Sequence, residues 1–212
     1  MITNYTELQA SVANWLHRDD LALQIPDFIT MLEARLNRVL AVSSMEVETS
    51  LACTVGSSSV SLPADSQTPI ALWNTTNAQR DKLVYLQPQD MPFTTVAGYP
   101  AYWTIDSAAL RFDKPADQSY PLAYRYYQRV GLSVAAPTNW LLTTSPDVYL
   151  YGTLLEAAPY MMNDQRISVW SQRYEVALKE MADDDNATKS QAILTTDVAP
   201  TWNRRFDINR GY

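Results

Sequence analysis

The spacing of apolar residues changes twice along the chain, and this change constrains the fold most strongly. Up to residue 42, apolar side chains recur at steps of three and four, the period of a helix packed on one face. From Ser43 they alternate with polar residues, as in a half-buried β-strand. The helical spacing returns after Thr143. This order predicts an α+β protein with a β-rich segment inserted between two pairs of helices.

Two helices are predicted before residue 42. Asn4 and Glu7 have the spacing of a capping box, and Pro26 suits the first turn of the second helix. Glu33 and Arg35 fall off the apolar stripe, so we expect both to be solvated. The two stripes comprise Tyr5, Leu8, Val12, Trp15 and Leu16 in the first helix, and Ile25, Phe28, Ile29, Leu32, Leu36, Val39 and Leu40 in the second.

The middle of the chain has short segments of strand-like pattern separated by turn residues. Ser107-Ala108-Ala109 has the composition of a hairpin turn. Regularly spaced short strands favour a small antiparallel β-sandwich or a barrel-like sheet. The predicted strands lie at residues 45–51, 60–62, 70–74, 82–86, 101–106, 110–113 and 122–130.

Two further helices are predicted after Thr143. Ser145 and Pro146 are typical of a helix start, and Pro159 should bend the helix that contains it. A second stripe with helical spacing runs from Ile167 to Met181. We therefore predict a discontinuous four-helix bundle, made of two N-terminal and two C-terminal helices. The predicted bundle comprises residues 1–42 and 146–193, the β-rich insertion residues 43–145, and an extended C-terminal tail residues 194–212.

The charge balance argues against a protein that binds nucleic acid tightly. The chain has 23 acidic and 16 basic residues, a net charge of −7, and no basic run. Phosphate binding requires clustered Lys or Arg, so any contact with DNA is expected to be passing and non-specific. Asp183, Asp184 and Asp185 are candidates for a solvent-facing or lumen-facing acidic surface. A calcium loop starting at Asp183 would need glycine where Thr188 stands, so no metal site is predicted.

No recognisable catalytic constellation is present in the sequence. The chain has one histidine, one cysteine (Cys53) and five scattered glycines, which excludes an internal disulfide, a multi-cysteine metal cluster and a glycine-rich phosphate loop. We predict a protein that is not an enzyme and needs no cofactor. The alternative is a cell-wall hydrolase with an acidic pair in a cleft. Its nominal candidates are Glu46, Glu48, Asp106 and Asp113, each of which is otherwise expected to be an ordinary surface residue.

Aromatic residues are abundant, with 13 tyrosines and six tryptophans. Those on the predicted strands either pack the core of a thin sheet structure or form an interface, where Tyr and Trp are enriched. A tail-associated module that binds a receptor glycan would have a similar aromatic surface. The candidate lateral or tail contacts are Tyr99, Tyr102, Trp103, Tyr124 and Tyr126.

The C-terminal tail combines aromatic residues and arginines, the residue types that dominate binding hot spots. Disordered tails are normally poor in such aromatic and aliphatic residues. We therefore predict an ordered tail that binds a partner or another subunit; the alternative is a tail that folds back on its own domain. Its candidate contacts are Trp202, Arg204, Arg205, Phe206, Ile208, Arg210 and Tyr212.

Three stretches resemble the head-to-tail adaptors of short-tailed bacteriophages, also called tail tubular protein A or gatekeeper-ring proteins. The first is YTELQASVANWLHRDDLALQIPDFITMLEARLNRVL. The second is GYPAYWTIDSAALRF with the following YPLAYRYYQRVGLS. The third and most distinctive is TNWLLTTSPDVYLYGTLLEAAPYMMNDQRISVWSQRYEVALKEM.

This resemblance implies a structural virion protein at the head–tail junction. It implies a ring of twelve copies beneath the portal, which continues the channel for double-stranded DNA. The implied partners are other copies of the chain, the portal protein and the tail nozzle or other tail proteins, with the C-terminal segment reaching towards the portal. The sequence has no signal-peptide layout and no apolar run of roughly 20 residues, so we expect synthesis in the host bacterial cytoplasm and no membrane contact.

Overall fold

The computed structural model describes residues 2–18, 20–77, 79–161 and 165–201, with side chains as far as Lys189. Within these ranges the chain is α+β, as predicted, with five α-helices and eight β-strands. The helices are α1 (Tyr5–Leu16), α2 (Ile25–Val39), α3 (Trp140–Thr144), α4 (Pro146–Met161) and α5 (Ile167–Thr201). The strands are β1 (Glu46–Cys53), β2 (Ser59–Ser61), β3 (Ser66–Asn74), β4 (Asp81–Lys82), β5 (Val84–Tyr85), β6 (Tyr102–Asp106), β7 (Ala109–Phe112) and β8 (Tyr120–Gln128).

The chain divides into two compact units. The helical unit comprises Met1–Arg38 and Gly131–Tyr212, and the β unit comprises Val39–Val130. Residues 131–145, which the sequence pattern placed in the β-rich segment, group with the helices. They include α3, which the sequence pattern did not predict. Asn139 caps α3, since its side-chain oxygen accepts a hydrogen bond from the Leu142 N–H at 2.8 Å.

The first helix begins at the predicted cap. The Asn4 side chain accepts a hydrogen bond from the Glu7 N–H at 2.9 Å. The Glu7 carboxylate accepts a hydrogen bond from the N–H of Thr3, the residue before the cap, at 2.8 Å. The two bonds satisfy the N–H groups of Thr3 and Glu7 at the start of α1. The start of this helix is therefore determined by local sequence.

The helical unit packs around α4, which contacts α1, α3 and α5 and also pairs with α2 through Arg35 and Glu156. Gly152 on α4 lies so close to its neighbours that a Cβ atom there would be 2.5 Å from Leu32 of α2 and 2.9 Å from Tyr174 of α5. Pro159 lies inside α4, as predicted. Because α3 is a fifth helix in the described residues, the predicted four-helix bundle is not confirmed.

The β unit has two four-stranded sheets in the part of the chain that the structure describes. The strand orders are β1-β8-β3-β4 and β2-β7-β6-β5. The predicted hairpin turn joins β6 to β7, with Ser107 in the left-handed region at φ 56°. The predicted strand at residues 82–86 is divided into β4 and β5, which lie at the edges of different sheets. Between them Leu83 is buried, and its carbonyl accepts a hydrogen bond from the Trp103 indole N–H at 3.3 Å.

The prediction of purely antiparallel sheets is wrong at one pair of strands. β5 runs parallel to β6, with Val84 opposite Tyr102 and Tyr85 opposite Trp103. The chain changes sheets at Leu83 and reaches β6 only after a long irregular connection, so the direction of β5 follows from this crossover. Barrel-like closure is not confirmed, because no pairing joins the two sheets within the described strands.

Both sheets contribute side chains to one buried cluster. Large aromatic and aliphatic residues fill it, and Cys53 lies inside it with 0% exposure. Burial raises the pKa of the Cys53 thiol, which makes it less reactive. The cluster also includes Leu72, Leu83, Trp103, Leu110, Phe112, Ala116, Tyr120, Leu122, Tyr124 and Tyr126.

The last helix is longer than predicted. The sequence pattern ended it before residue 194 and assigned an extended conformation to the tail, but α5 continues to Thr201. The extended conformation predicted for residues 194–201 is therefore wrong. The prediction relied on the absence of an apolar stripe, but such a stripe marks a helix that packs on one face and is not required of every helix.

Candidate interaction surfaces

Three of the five aromatic residues proposed as surface contacts lie in the core. Trp103, Tyr124 and Tyr126 are each at most 2% exposed. The rings of Tyr124 and Tyr126 stack with centroids 4.9 Å apart, and Trp103 meets Tyr124 edge-to-face across the two sheets at 6.3 Å. Core packing therefore explains these three residues, which hold the sheets together and present no side-chain surface to a partner.

The buried tyrosines keep their hydroxyl groups satisfied. The Tyr126 hydroxyl donates to the Asp65 carboxylate at 3.0 Å, and the Tyr124 hydroxyl lies 3.1 Å from the Ser66 hydroxyl. Burial raises the pKa of both tyrosines, so they remain neutral at physiological pH. These bonds tie β8 to the first residue of β3 and to Asp65 just before it.

The other two aromatic candidates are exposed. Tyr99 is 40% and Tyr102 is 37% exposed. Together with Asp81 and Lys82 they line an open groove with a volume of about 360 Å³. Tyr99 also packs edge-to-face on Tyr120 with ring centroids 5.4 Å apart, which holds its ring in one orientation. Of the predicted aromatic contacts, this pair is the one that a partner could reach.

The acidic triplet lies on α5. Asp183 and Asp184 are exposed, whereas Asp185 is half-buried and pairs with Lys189 at 2.6 Å. No group of three potential ligands for a metal ion occurs among the described side chains. The triplet therefore divides into two solvent-facing carboxylates and one that is part of an ion pair along the helix.

The four acids considered for a hydrolase are each engaged with a base. Glu46 pairs with Arg125 at 2.5 Å, Glu48 with Arg80, and Asp106 with Arg111 at 2.8 Å. Asp113 is buried, accepts hydrogen bonds from two backbone N–H groups, of Ala101 and Tyr102, and lies 3.4 Å from Lys114. Their carboxylates thus tie strands and loops together, and their observed partners are bases, backbone amides and, for Glu46, also the Tyr127 hydroxyl at 3.5 Å.

Two acids that were expected at the surface are buried, Asp113 and Glu33. Glu33 is 8% exposed, although it was expected to be solvated, whereas the side chain of Arg35 is half exposed as expected. The Glu33 carboxylate accepts hydrogen bonds from the Leu132 N–H at 2.7 Å and from the Tyr149 hydroxyl at 3.2 Å. A signal existed in the sequence, because Glu33 follows Ile25 and Ile29 at steps of four and so shares their buried face.

The predicted tail contacts lie outside the described residues. This applies to Trp202, Arg204, Arg205, Phe206, Ile208, Arg210 and Tyr212. In the described part of the chain, no helix is both long and apolar enough to cross a membrane.

Comparison with known protein families supports the prediction of a structural phage protein. A family model described as SU10 adaptor protein matches residues 3–196, which include nearly all of both units. No curated protein sequence matches the chain. The chain belongs to the SU10 adaptor protein family, which supports a structural role as a head-to-tail adaptor of a bacteriophage.

Proposed function

We propose that this chain forms a ring of twelve copies between the portal and the tail of a short-tailed phage. The centre of this ring would continue the channel through which double-stranded DNA leaves the head. The family match carries the proposal, because it extends through the helical unit and the β unit alike. The protein would be made in the host cytoplasm and then become part of the virion at the head–tail junction.

The two units and the tail would have different tasks in this ring. We assign the ring wall to a bundle of the long helices α1, α2, α4 and α5. We assign the lateral contacts and the contacts with the tail nozzle to the β unit, where Tyr99 and Tyr102 are exposed. We assign docking to the portal to the tail at residues 202–212, because it contains aromatic residues and arginines.

The acidic balance supports a channel that DNA crosses without binding. A basic lumen would retain DNA, since every neutralised phosphate adds to affinity. The net charge of −7 and the exposed Asp183 and Asp184 fit a surface that repels the phosphate backbone. DNA would therefore pass through the ring as cargo rather than as a ligand.

Ring assembly on the portal tests this function directly. The purified chain is mixed with the portal protein of the same phage and imaged by negative stain, with each protein alone as a control. We expect a closed ring of the chain on one end of the portal. Absence of the chain from purified virions, together with no binding to the portal, would rule out the adaptor function.

A second candidate function is suggested by the groove beside Tyr99 and Tyr102. Exposed aromatic rings next to polar groups are typical of carbohydrate-binding surfaces, so a tail-associated glycan-binding module is the alternative. Glycan-array screening distinguishes the two functions. Specific glycan binding that is lost in Tyr102→Ala, without ring formation on the portal, would favour this alternative.

A further inference from the structure

The chain re-enters the helical unit through a segment without helix or strand, residues 131–139. We call these residues the junction segment. Most of its residues are exposed, so apolar burial alone does not hold it in place. It is held by a few hydrogen bonds, among them one from the Tyr5 N–H to the Pro137 carbonyl at 2.8 Å.

A chain of hydrogen bonds, of which only the Tyr149–Glu33 bond is fully buried, attaches both ends of the junction segment to α2 and α4. At its start, the Leu132 N–H donates to Glu33 of α2 at 2.7 Å. At its end, the Asn139 side-chain amide donates to the Tyr149 hydroxyl of α4 at 2.6 Å and to the Gly131 carbonyl at 3.2 Å. The Tyr149 hydroxyl in turn donates to the same oxygen of Glu33 at 3.2 Å.

Glu33 is the only ionisable group of the described residues in this chain of bonds that titrates near neutral pH. Burial raises the pKa of Glu33 to about 7, although the bonds from Leu132 and Tyr149 act in the opposite direction. Tyr149 has 0% exposure, and burial together with the charge of Glu33 raises its pKa, so it stays neutral.

In the described part of the chain, no Lys or Arg pairs with Glu33, and no positive charge contributes to the shift of its pKa. The junction segment contains no ionisable side chain. The nearby base of α2, Arg35, pairs instead with Glu156 of α4 at 2.7 Å. An ionised Glu33 therefore relies on two neutral donors, which is a costly arrangement for a buried charge.

We propose that Glu33 is a proton-sensitive latch that holds the junction segment against the helical unit when neutral and releases it when ionised. In the released state water hydrates the carboxylate, which then titrates near its ordinary pKa of 4.5. Because the released state binds the proton less tightly, release becomes more favourable as pH rises from about 4.5 to about 7. Above that window both states are ionised and the equilibrium levels off. The latch is a conformational property additional to the adaptor function and does not depend on it.

Hydrogen exchange of the Leu132 amide measures the latch directly, because this amide is the donor to Glu33. We expect the opening equilibrium of the full-length chain to rise by up to roughly tenfold per pH unit between about pH 5 and 7, after correction for intrinsic exchange. Amides of the β6–β7 hairpin serve as the internal control for that correction. Glu33→Gln keeps an acceptor at this site but cannot ionise, so its opening equilibrium should not change with pH.

Tyr149→Phe tests the second link in the same chain of bonds. It removes one of the two acceptors of the Asn139 amide and one donor to Glu33, so exchange at residues 131–139 should be faster at every pH. An equal pH dependence in wild type and Glu33→Gln would overturn the latch. If Glu33→Gln does not fold, carboxyl NMR titration of the wild type decides. A midpoint near 7 supports the latch and one near 4.5 refutes it.

Discussion

At the scale of the residue, Gly152 allows α4 to pack closely against Leu32 of α2 and Tyr174 of α5. A Cβ atom at this position would lie 2.5 Å and 2.8 Å from the two Leu32 methyl groups and 2.9 Å from the Tyr174 ring. Real side chains essentially never approach this closely, so with any larger residue the Leu32 and Tyr174 side chains, or the helices that carry them, must shift. The loss of helix propensity caused by glycine, about 1 kcal/mol relative to alanine, is the cost of this close approach.

We expect Gly152→Ala to lower the free energy of unfolding by about 1–2 kcal/mol. Overpacking costs roughly 1–3 kcal/mol, and the better helix propensity of alanine offsets only part of it. Urea denaturation of the purified chain measures the change. The double variant Gly152→Ala/Leu32→Ala should lose less than the sum of the two single changes, because the shorter side chain leaves room for the new methyl group. Strict additivity would contradict this explanation.

At the scale of the element, α5 has two halves with different surroundings. Its first turns bury Trp170, Tyr174 and Ala177 in the helical unit. From Leu178 to Lys189, by contrast, none of the side chains is buried. A helix of this length is only marginally stable in water by itself, so the second half depends on propagation from the packed half or on a partner.

This division predicts unequal effects of two alanine substitutions in the same helix. Tyr174→Ala should lower the free energy of unfolding by about 3 kcal/mol, since it removes a buried ring between helices. Met181→Ala should change it by less than about 1 kcal/mol in the free chain. Thermal and urea unfolding followed by circular dichroism compare the two variants. Equal losses would show that the second half of α5 packs on the folded chain.

At the scale of the whole molecule, portal docking is assigned to the C-terminal tail. Deleting residues 194–212 should abolish binding to purified portal while leaving the circular dichroism of the folded units nearly unchanged. This deletion also removes residues 194–201, which belong to α5. The shorter deletion of residues 202–212 therefore serves as the matched variant and should have the same effect. Portal binding that survives both deletions would assign docking to another surface.

The acidic surface of α5 gives a second prediction for the assembled particle. Replacing Asp183, Asp184 and Asp185 by lysine should slow DNA ejection without blocking assembly, if these residues face the channel. New positive charges would hold the phosphate backbone through local neutralisation. The triple Asn variant removes the acids without adding positive charge and should have the weaker effect. Unchanged ejection kinetics in the lysine variant would place the triplet away from the DNA path.

Local sequence determined the type and order of the main elements. Alternation predicted β1, turn composition predicted the hairpin at Ser107, and Asn4 and Pro146 marked the starts of two helices. These features act between residues a few positions apart, and so they can be recognised without knowledge of the fold. The resemblance of three stretches to phage adaptors also came from sequence, and the family match supports it.

Only the tertiary structure decided which of these residues are buried and which strands pair. Trp103 and Tyr124 meet across two sheets, β5 pairs in parallel with β6, and Glu33 is covered by a segment about 100 positions later in the chain. A pattern along the chain specifies one face of an element but not what covers that face. Burial and strand pairing are properties of contacts between residues far apart in sequence, and these contacts exist only once the chain has folded.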